Sequence, residues 1–293
     1  MRRSTRLRRR LDRDEIIVLP GAYDALSATL IEQAGFEQFF TTGFGLAAST
    51  LGVPDIGLLT QTEIIERARR IASVVDIPLV ADMDTGYGNP LNVIRTVTEC
   101  VQGDIAGVIL EDQEWPKRCG HLEGKRVIPR EDHVQKLRAA VHARGDDDLV
   151  IIARTDARAV NDMDDAIDRG RAYHAAGADV VFIEAPRTRD ELRAIRDAFP
   201  PDVPLFANMI EDGATPFLSA SELQDFGFRM VVYPLSGLFA SAAALRGVFD
   251  ALHATGTTTG AGPMTGLEEF KTLIGLDRFN ALEAEFASNG GEG

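Results

Sequence analysis

Eight times in about 240 residues a short apolar run gives way to an amphipathic helical pattern, and no linker interrupts the series. The runs are Ile16–Leu19, Gln38–Thr41, Leu79–Asp82, Gly107–Glu111, Leu149–Arg154, Val180–Glu184, Pro204–Asn208 and Arg229–Tyr233. Most are apolar throughout and bounded by turn residues, as strands buried on both faces must be. Between them apolar residues recur at helical spacing over Asp24–Ala34, Thr60–Val74, Leu91–Val101, Arg130–Ala143, Asp164–Ala176, Arg189–Ala198, Ser219–Phe226 and Gly237–Ala254. Glycine follows several helix ends, as at Gly35, Gly177 and Gly227, where a left-handed residue closes a helix. Alternation of this length predicts a (β/α)8 barrel, read as one domain over 1–293. An arginine-rich start is read as a surface helix rather than a leader, because it lacks an apolar segment and acids follow at once. Residues 255–293 form a C-terminal extension: a flexible Gly/Thr-rich stretch, then helical pattern at Leu267–Ile274 and Asp277–Ala287.

A barrel of this kind carries its chemistry at the C-terminal ends of its strands. Here those ends read Thr42 and Gly43, Asp82 and Asp84, Glu111 and Asp112, Arg154 and Asp156, Glu184, Asn208 and Tyr233. One or two such residues are ordinary turn chemistry. A nearly complete ring of them points to a site. Asp82 and Asp84 are two apart on an extended segment, so both face one way. With Glu111 and Asp112 they offer hard oxygen ligands, which suit Mg²⁺ and also Mn²⁺; no His/Cys spacing suits zinc. The turn Thr41–Gly45 presents backbone N–H groups and hydroxyls to an anion. Arg154 can clamp a carboxylate or stabilise an oxyanion.

The segment 111–125 has no core periodicity. It brings Lys117, Arg118, Cys119 and His121 together, with Gly120 and Gly124 loosening the backbone. Fixed cations beside a thiol favour its thiolate form. The stretch 113–127 therefore reads as an active-site gating loop carrying reactive groups. Cys100 lies in helical pattern and reads as packing. Two cysteines make no disulfide framework, and free thiols fit a reducing, cytoplasmic setting. A net charge of −14 argues against nucleic acid as a partner, and no apolar run is long enough to span a bilayer.

These residues resemble the isocitrate lyase/phosphoenolpyruvate mutase superfamily over roughly 15–255. The likeness rests on Pro-Gly-Ala-Tyr-Asp-Ala-Leu-Ser from Pro20, Leu-Gly-Val-Pro-Asp ending at Asp55, Asp-Met-Asp-Thr-Gly-Tyr-Gly from Asp82, and Glu-Asp-Gln from Glu111. Lys-Arg-Cys-Gly-His from Lys117, Ala-Arg-Thr-Asp-Ala from Ala153 and Ala-Asn-Met from Ala207 complete it. Lys-Arg-Cys-Gly-His looks like the gating loop of the carbon–carbon lyases, above all those acting on 2-methylisocitrate, 2-alkylmalates and oxaloacetate. The resemblance implies Asp82, Asp84 and Glu111 around Mg²⁺, directly or through water. It also implies Cys119 as general acid, with Lys117, Arg118, His121 and Arg154 in the catalytic group. Thr42, Gly43, Phe44, Asp55, Gly120, Glu184, Asn208, Val232 and Pro234 would form the substrate-binding set for a small di- or tricarboxylate. Related enzymes carry Tyr where this chain has Phe40, so the base is left unassigned. The resemblance further implies a homotetramer with a C-terminal helix swapped between subunits. Alternatives are oxaloacetate hydrolysis or decarboxylation, phosphoryl transfer in phosphonate metabolism, and a binder without activity.

Overall fold

A computed structural model describes residues 1–120 and 124–287. The eight strands close into a parallel barrel in chain order. They are β1 (Ile17–Ala22), β2 (Phe39–Thr41), β3 (Leu79–Asp82), β4 (Gly107–Glu111), β5 (Val150–Thr155), β6 (Val180–Ile183), β7 (Leu205–Asn208) and β8 (Met230–Tyr233). Closure is made by β1 against β8, with Ile17 beside Met230 and Pro20 beside Tyr233. The helices are α1 (Arg3–Leu11), α2 (Ala25–Gln33), α3 (Gly43–Leu51), α4 (Gln61–Ala72), α5 (Pro90–Gln102), α6 (Arg130–Arg144) and α7 (Ala157–Val160). They continue with α8 (Met163–Ala175), α9 (Arg189–Asp197), α10 (Ala220–Asp225), α11 (Ser236–Thr255), α12 (Leu267–Leu273) and α13 (Leu276–Phe286). Side-chain caps start several of them: Asp24, Thr60, Asn89 and Ser219 each close a capping box.

Strand residues alternate between two cores. Ile17, Leu19, Phe40, Val80, Ile109, Val150, Ile152, Val180, Phe182, Phe206, Met230 and Val232 fill the barrel interior. Their neighbours Val108, Leu110, Ile151 and Ala153 pack outward in the layer beneath the helices, as do Val181, Ile183 and Val231. Both faces being buried explains why the strands read as unbroken apolar runs.

Two expectations change. The arginine-rich start is a helix but not a surface one: Ser4, Leu7 and Leu11 are buried, and both leucines join the interior core. The turn expected at Thr41–Gly45 is the start of a helix, α3, with Thr42 at its N-cap. Its glycines answer to space rather than to turning. A Cβ on Gly45 would lie 2.8 Å from Thr42 Cγ2 and 3.0 Å from Tyr23 Cβ.

The chain divides into two compact units, Met1–Phe239 and Ala240–Gly293. No residue of α11, α12 or α13 is buried, and Leu245, Phe249, Phe270, Ile274 and Phe279 are exposed. No helix among the described residues is long and apolar enough to cross a membrane.

Candidate active site

The interior register runs straight into the site. Two residues beyond Phe40 stands Thr42; beyond Val80, Asp82; beyond Ile109, Glu111; beyond Ile152, Arg154. The same step leads from Phe182 to Glu184, from Phe206 to Asn208 and from Val232 to Pro234. A period of two keeps these side chains on the inner face as each strand ends. All but Glu184, which stands behind Arg154, line one cavity, whose walls include Thr42, Phe44, Asp55, Asp82, Glu111, Lys117, Cys119, Gly120, Arg154, Asn208, Val232 and Pro234. Phe40, Ile109, Phe182, Ile210 and Leu235 also line it. Ile109, Phe182 and Leu235 carry only carbon on strands or strand ends that read as packing, so nothing in the sequence marks them as site residues.

Asp112 leaves the metal group. One step out of register from Glu111, it faces the outer layer. It accepts hydrogen bonds from Thr155 Oγ1 (2.7 Å), Tyr173 OH (2.7 Å), the Asp156 N–H (3.0 Å) and Arg169 Nη1 (3.1 Å). Its role is to hold the end of β5. Asp156, anchored by that N–H, in turn grips Arg154 with both carboxylate oxygens, at 2.9 and 3.1 Å. Arg154 then lies over the Phe182 ring at 5.4 Å and faces Glu111 at 3.4 Å and Glu184 at 3.6 Å. Asn208 Nδ2 donates to Glu184 at 3.2 Å. The guanidinium is therefore positioned before any ligand arrives.

Lys117 is buried among carboxylates on the wall of the site. Its ammonium is 2.7 Å from Asp55 and 2.7 Å from Asp84, with only 3% of the side chain exposed. Burial alone would lower its pKa, but Asp84 and Asp55, then Asp82 and Glu111, outweigh that and hold it well above the ordinary lysine value. Burial pushes Asp84 up to about 7 despite Lys117, and pushes Glu111 well above the ordinary carboxylate value despite Arg154. Asp84 also holds a φ of 48°, an uncommon conformation for a side-chain-bearing residue. Gly43 lies against this cluster. A Cβ there would meet Lys117 Nζ at 3.1 Å, Asp84 Oδ1 at 3.3 Å and Asp82 Oδ2 at 3.4 Å.

Residues 113–120 of the loop lie down on the site. Gln113 bridges antiparallel to Val127, and the Glu114 N–H donates to Arg126 O at 2.8 Å. The Gln113 side chain ties both the N–H and the carbonyl of Arg118, and the Cys119 N–H donates to Asp55 O at 3.1 Å. Gly120 is pressed so closely that a Cβ would meet Arg154 Nη2 at 2.5 Å and Glu184 Cγ at 2.7 Å. Arg118 does not join the cavity; it is exposed and lines a separate cleft on the loop's outer side. His121 lies outside the described residues.

The donor set suits a hard cation. Asp82, Asp84 and Glu111 are all buried, and Glu111 Oε1 has no hydrogen-bond donor. Among the described residues, no three His, Cys, Asp or Glu side chains close tightly enough on one point to enclose an ion by direct contact alone. Mg²⁺ keeps several of its waters and tolerates that spacing.

Residues 7–253 match the family model described as phosphoenolpyruvate phosphomutase. The chain is 40% identical to 2,3-dimethylmalate lyase of Eubacterium barkeri, covering 98% of this chain and 99% of that one. It is 45% identical to the chloroplastic carboxyvinyl-carboxyphosphonate phosphorylmutase of Arabidopsis thaliana (97% and 85% covered) and 40% identical to 2-methylisocitrate lyase of Bacillus subtilis (96% and 92%). A crystal structure of 2,3-dimethylmalate lyase superposes with a TM-score of 0.93 at 37% identity, covering 100% of this chain and 99% of that one. A phosphonopyruvate hydrolase solved with oxalate and Mg²⁺ superposes at 0.88 with 33% identity, covering 98% and 99%. This chain belongs to the phosphoenolpyruvate phosphomutase family, within the PEP mutase/isocitrate lyase superfamily.

Proposed function

We propose that the protein is a Mg²⁺-dependent carbon–carbon lyase that cleaves a 2-hydroxy dicarboxylate bearing alkyl substituents and releases an α-oxo acid. The observation that carries this is the placement of Cys119, Arg154, Asp82 and Glu111 on the walls of one cavity. Cleavage breaks the bond between the hydroxyl-bearing carbon and its neighbour. The hydroxyl loses its proton, that carbon becomes the carbonyl of the oxo acid, and the electron pair passes to the other fragment as a carboxylate-stabilised carbanion. Cys119 on the loop delivers the proton that fragment needs. Arg154, fixed by Asp156, balances negative charge on the oxo acid. Asp82, Asp84 and Glu111 would hold the metal, which supplies further positive charge to the oxo acid's oxygens. Phe40 offers no titratable atom, so the base is one of the cavity's other groups.

An alkylated malate suits the cavity better than a tricarboxylate. Lys117 and Arg154 are the cations lining it among the described residues, and both already face carboxylates. Opposite them, Phe44, Ile210, Val232, Pro234 and Leu235 form an apolar wall for a methyl or larger group. That wall, with so few free cations, is the reason to rank 2,3-dialkylmalates above 2-methylisocitrate, isocitrate and oxaloacetate. The test is a panel of these four substrates with Mg²⁺, followed by oxo-acid release, or for oxaloacetate by its loss and the appearance of oxalate or pyruvate, with chelator as control. Turnover of oxaloacetate alone, or undiminished turnover after exhaustive metal removal, overturns the reading.

The loop would act as a lid. The cavity as it stands leaves about 40 Å³ of water-accessible volume, room for a few waters but not for a dicarboxylate. Proteolysis within 113–127 is expected without ligand and protection with Mg²⁺ plus oxalate; equal cutting in both refutes closure. Assembly is proposed as a homotetramer, with the unburied apolar residues of α11 to α13 packing on neighbouring chains. Light scattering giving a monomer mass in low and high salt refutes it.

A further inference from the structure

α1 carries two stripes. Ser4, Leu7 and Leu11 face inward and plug the barrel floor. On another face, Arg6, Arg9, Arg10 and, two residues past the helix, Arg13 follow at successive turns and line a cavity of about 490 Å³. The cavity lies at the N-terminal ends of β2 and β3, where Gln38 and Pro78 lead into the strands. It is thus at the opposite end of the barrel from the site above.

The other arginines of this segment are spent on protein partners. Arg2 pairs with Asp147, Arg3 donates to the Asp76 and Val75 carbonyls, and Arg8 pairs with Asp179 at 2.9 Å. The cavity's arginines are less committed. Arg6 donates to the Asp76 carbonyl through Nη2, while its buried Nε has no acceptor. Arg10 is the exception: it pairs with Glu15 at 3.1 Å and Glu37 at 3.5 Å and donates to the Glu15 carbonyl at 3.2 Å. Among the described residues the guanidinium groups of Arg9 and Arg13 take part in no hydrogen bond or ion pair. The acids present do not neutralise them. One carboxylate oxygen of Glu32 is taken by the N–H groups of Asp76 and Ile77, and the Glu37 side chain is 69% exposed. Cations in the last turn of α1 stabilise the helix. That accounts for some of the charge, but neither for Arg13 nor for the space the stripe encloses. On a chain of net charge −14, a cleft with more cations than acids favours an anion.

We propose that this floor cavity binds a small, multiply charged oxyanion, a phosphate or polycarboxylate group held by the forks of Arg6, Arg9, Arg10 and Arg13. Phe36, Ile77 and Pro78 give it an apolar side against which the rest of such a molecule can lie.

The experiment is calorimetric titration with inorganic pyrophosphate and, separately, with tricarballylate, in metal-free buffer. Three proteins are compared: the unaltered chain, R9Q/R13Q, and the charge-matched control R171Q/R193Q on other helices. Arg9 and Arg13 are exposed and unpaired, so their replacement leaves the fold intact. The expected result is binding to the unaltered chain and the control, weakened about tenfold or more in R9Q/R13Q. The tighter of the two anions identifies the source as phosphate or carboxylate. Failure of both anions to bind the unaltered chain, or equal binding by R9Q/R13Q, overturns the proposal. So does an equal loss in the control, which would mean that net charge alone is being read.

Discussion

His133, on α6, is fully buried against the Tyr173 ring, with ring centroids 4.6 Å apart. Burial pulls its pKa down to about 3, helped by the positive charges of Lys136 and Arg169. A backbone contact with Leu110 pulls weakly the other way, but neither ring nitrogen reaches hydrogen-bond geometry. The unfolded chain takes up this proton near pH 6.5, and the folded chain refuses it until about 3. Between those values the unfolded state binds more protons, so stability falls as pH drops through 6.5 and stops falling near 3. From pH 7 to 4.5 the loss from this one group is about 2.5 kcal/mol. Replacing His133 with Phe keeps a ring against Tyr173 and removes the titration. Asp84, Glu111 and Asp112 titrate in both proteins and cancel in the difference. The stability of H133F relative to the unaltered protein should therefore rise by about 2.5 kcal/mol over that range, a gain of roughly 4 °C in relative Tm. Denaturant or thermal melts at both pH values measure it. Parallel losses in the two proteins would show that the buried imidazole does not govern the acid limb.

Cys119→Ser should lower kcat by roughly two to four orders of magnitude with the fold intact, the scale of losing a placed proton donor; an undiminished kcat removes the thiol from the chemistry. Gly120→Ala must push the loop off Arg154, which Asp156 holds rigidly, and should cost about 100-fold in kcat with little change in Tm. Normal turnover there would mean the loop need not lie so close. Asp112→Asn leaves Arg169 and Tyr173 short of acceptors and should destabilise by about 3–5 kcal/mol in guanidinium melts, with KM rising as Arg154 loosens. A change under about 1 kcal/mol would contradict that account.

Much of the fold was legible because strand burial on both faces leaves uninterrupted apolar runs, and β3 and β4 have the bounds the sequence predicts. The site was legible where parity reaches it: Asp82, Glu111 and Arg154 continue the inward register of their strands. Parity also carried a signal that went unused. Asp112 could have been assigned outward, and Asp156, two beyond Arg154, could have been paired with it. α3 was hidden because Gly43 and Gly45 weaken local helix propensity, and only the tertiary crowding around them explains their presence. The burial of Lys117 among acids was hidden for another reason. Its partner Asp55 is 62 positions away and on a different loop, and no local pattern records that meeting.

The seam between β1 and β8 also sets a clock. The first strand made by the ribosome pairs with the last, more than two hundred residues later. At ordinary synthesis rates, Ile17 and Leu19 wait about 10–40 s before Met230 and Val232 emerge. Until then α1 has an incomplete floor to plug, and an unpaired parallel edge stays open to other nascent chains. Ribosome-bound chains stalled before β8 should accordingly be protease-sensitive in Ile17–Ala22, and those stalled well beyond it resistant. Equal sensitivity would mean that β1 is protected without its final neighbour.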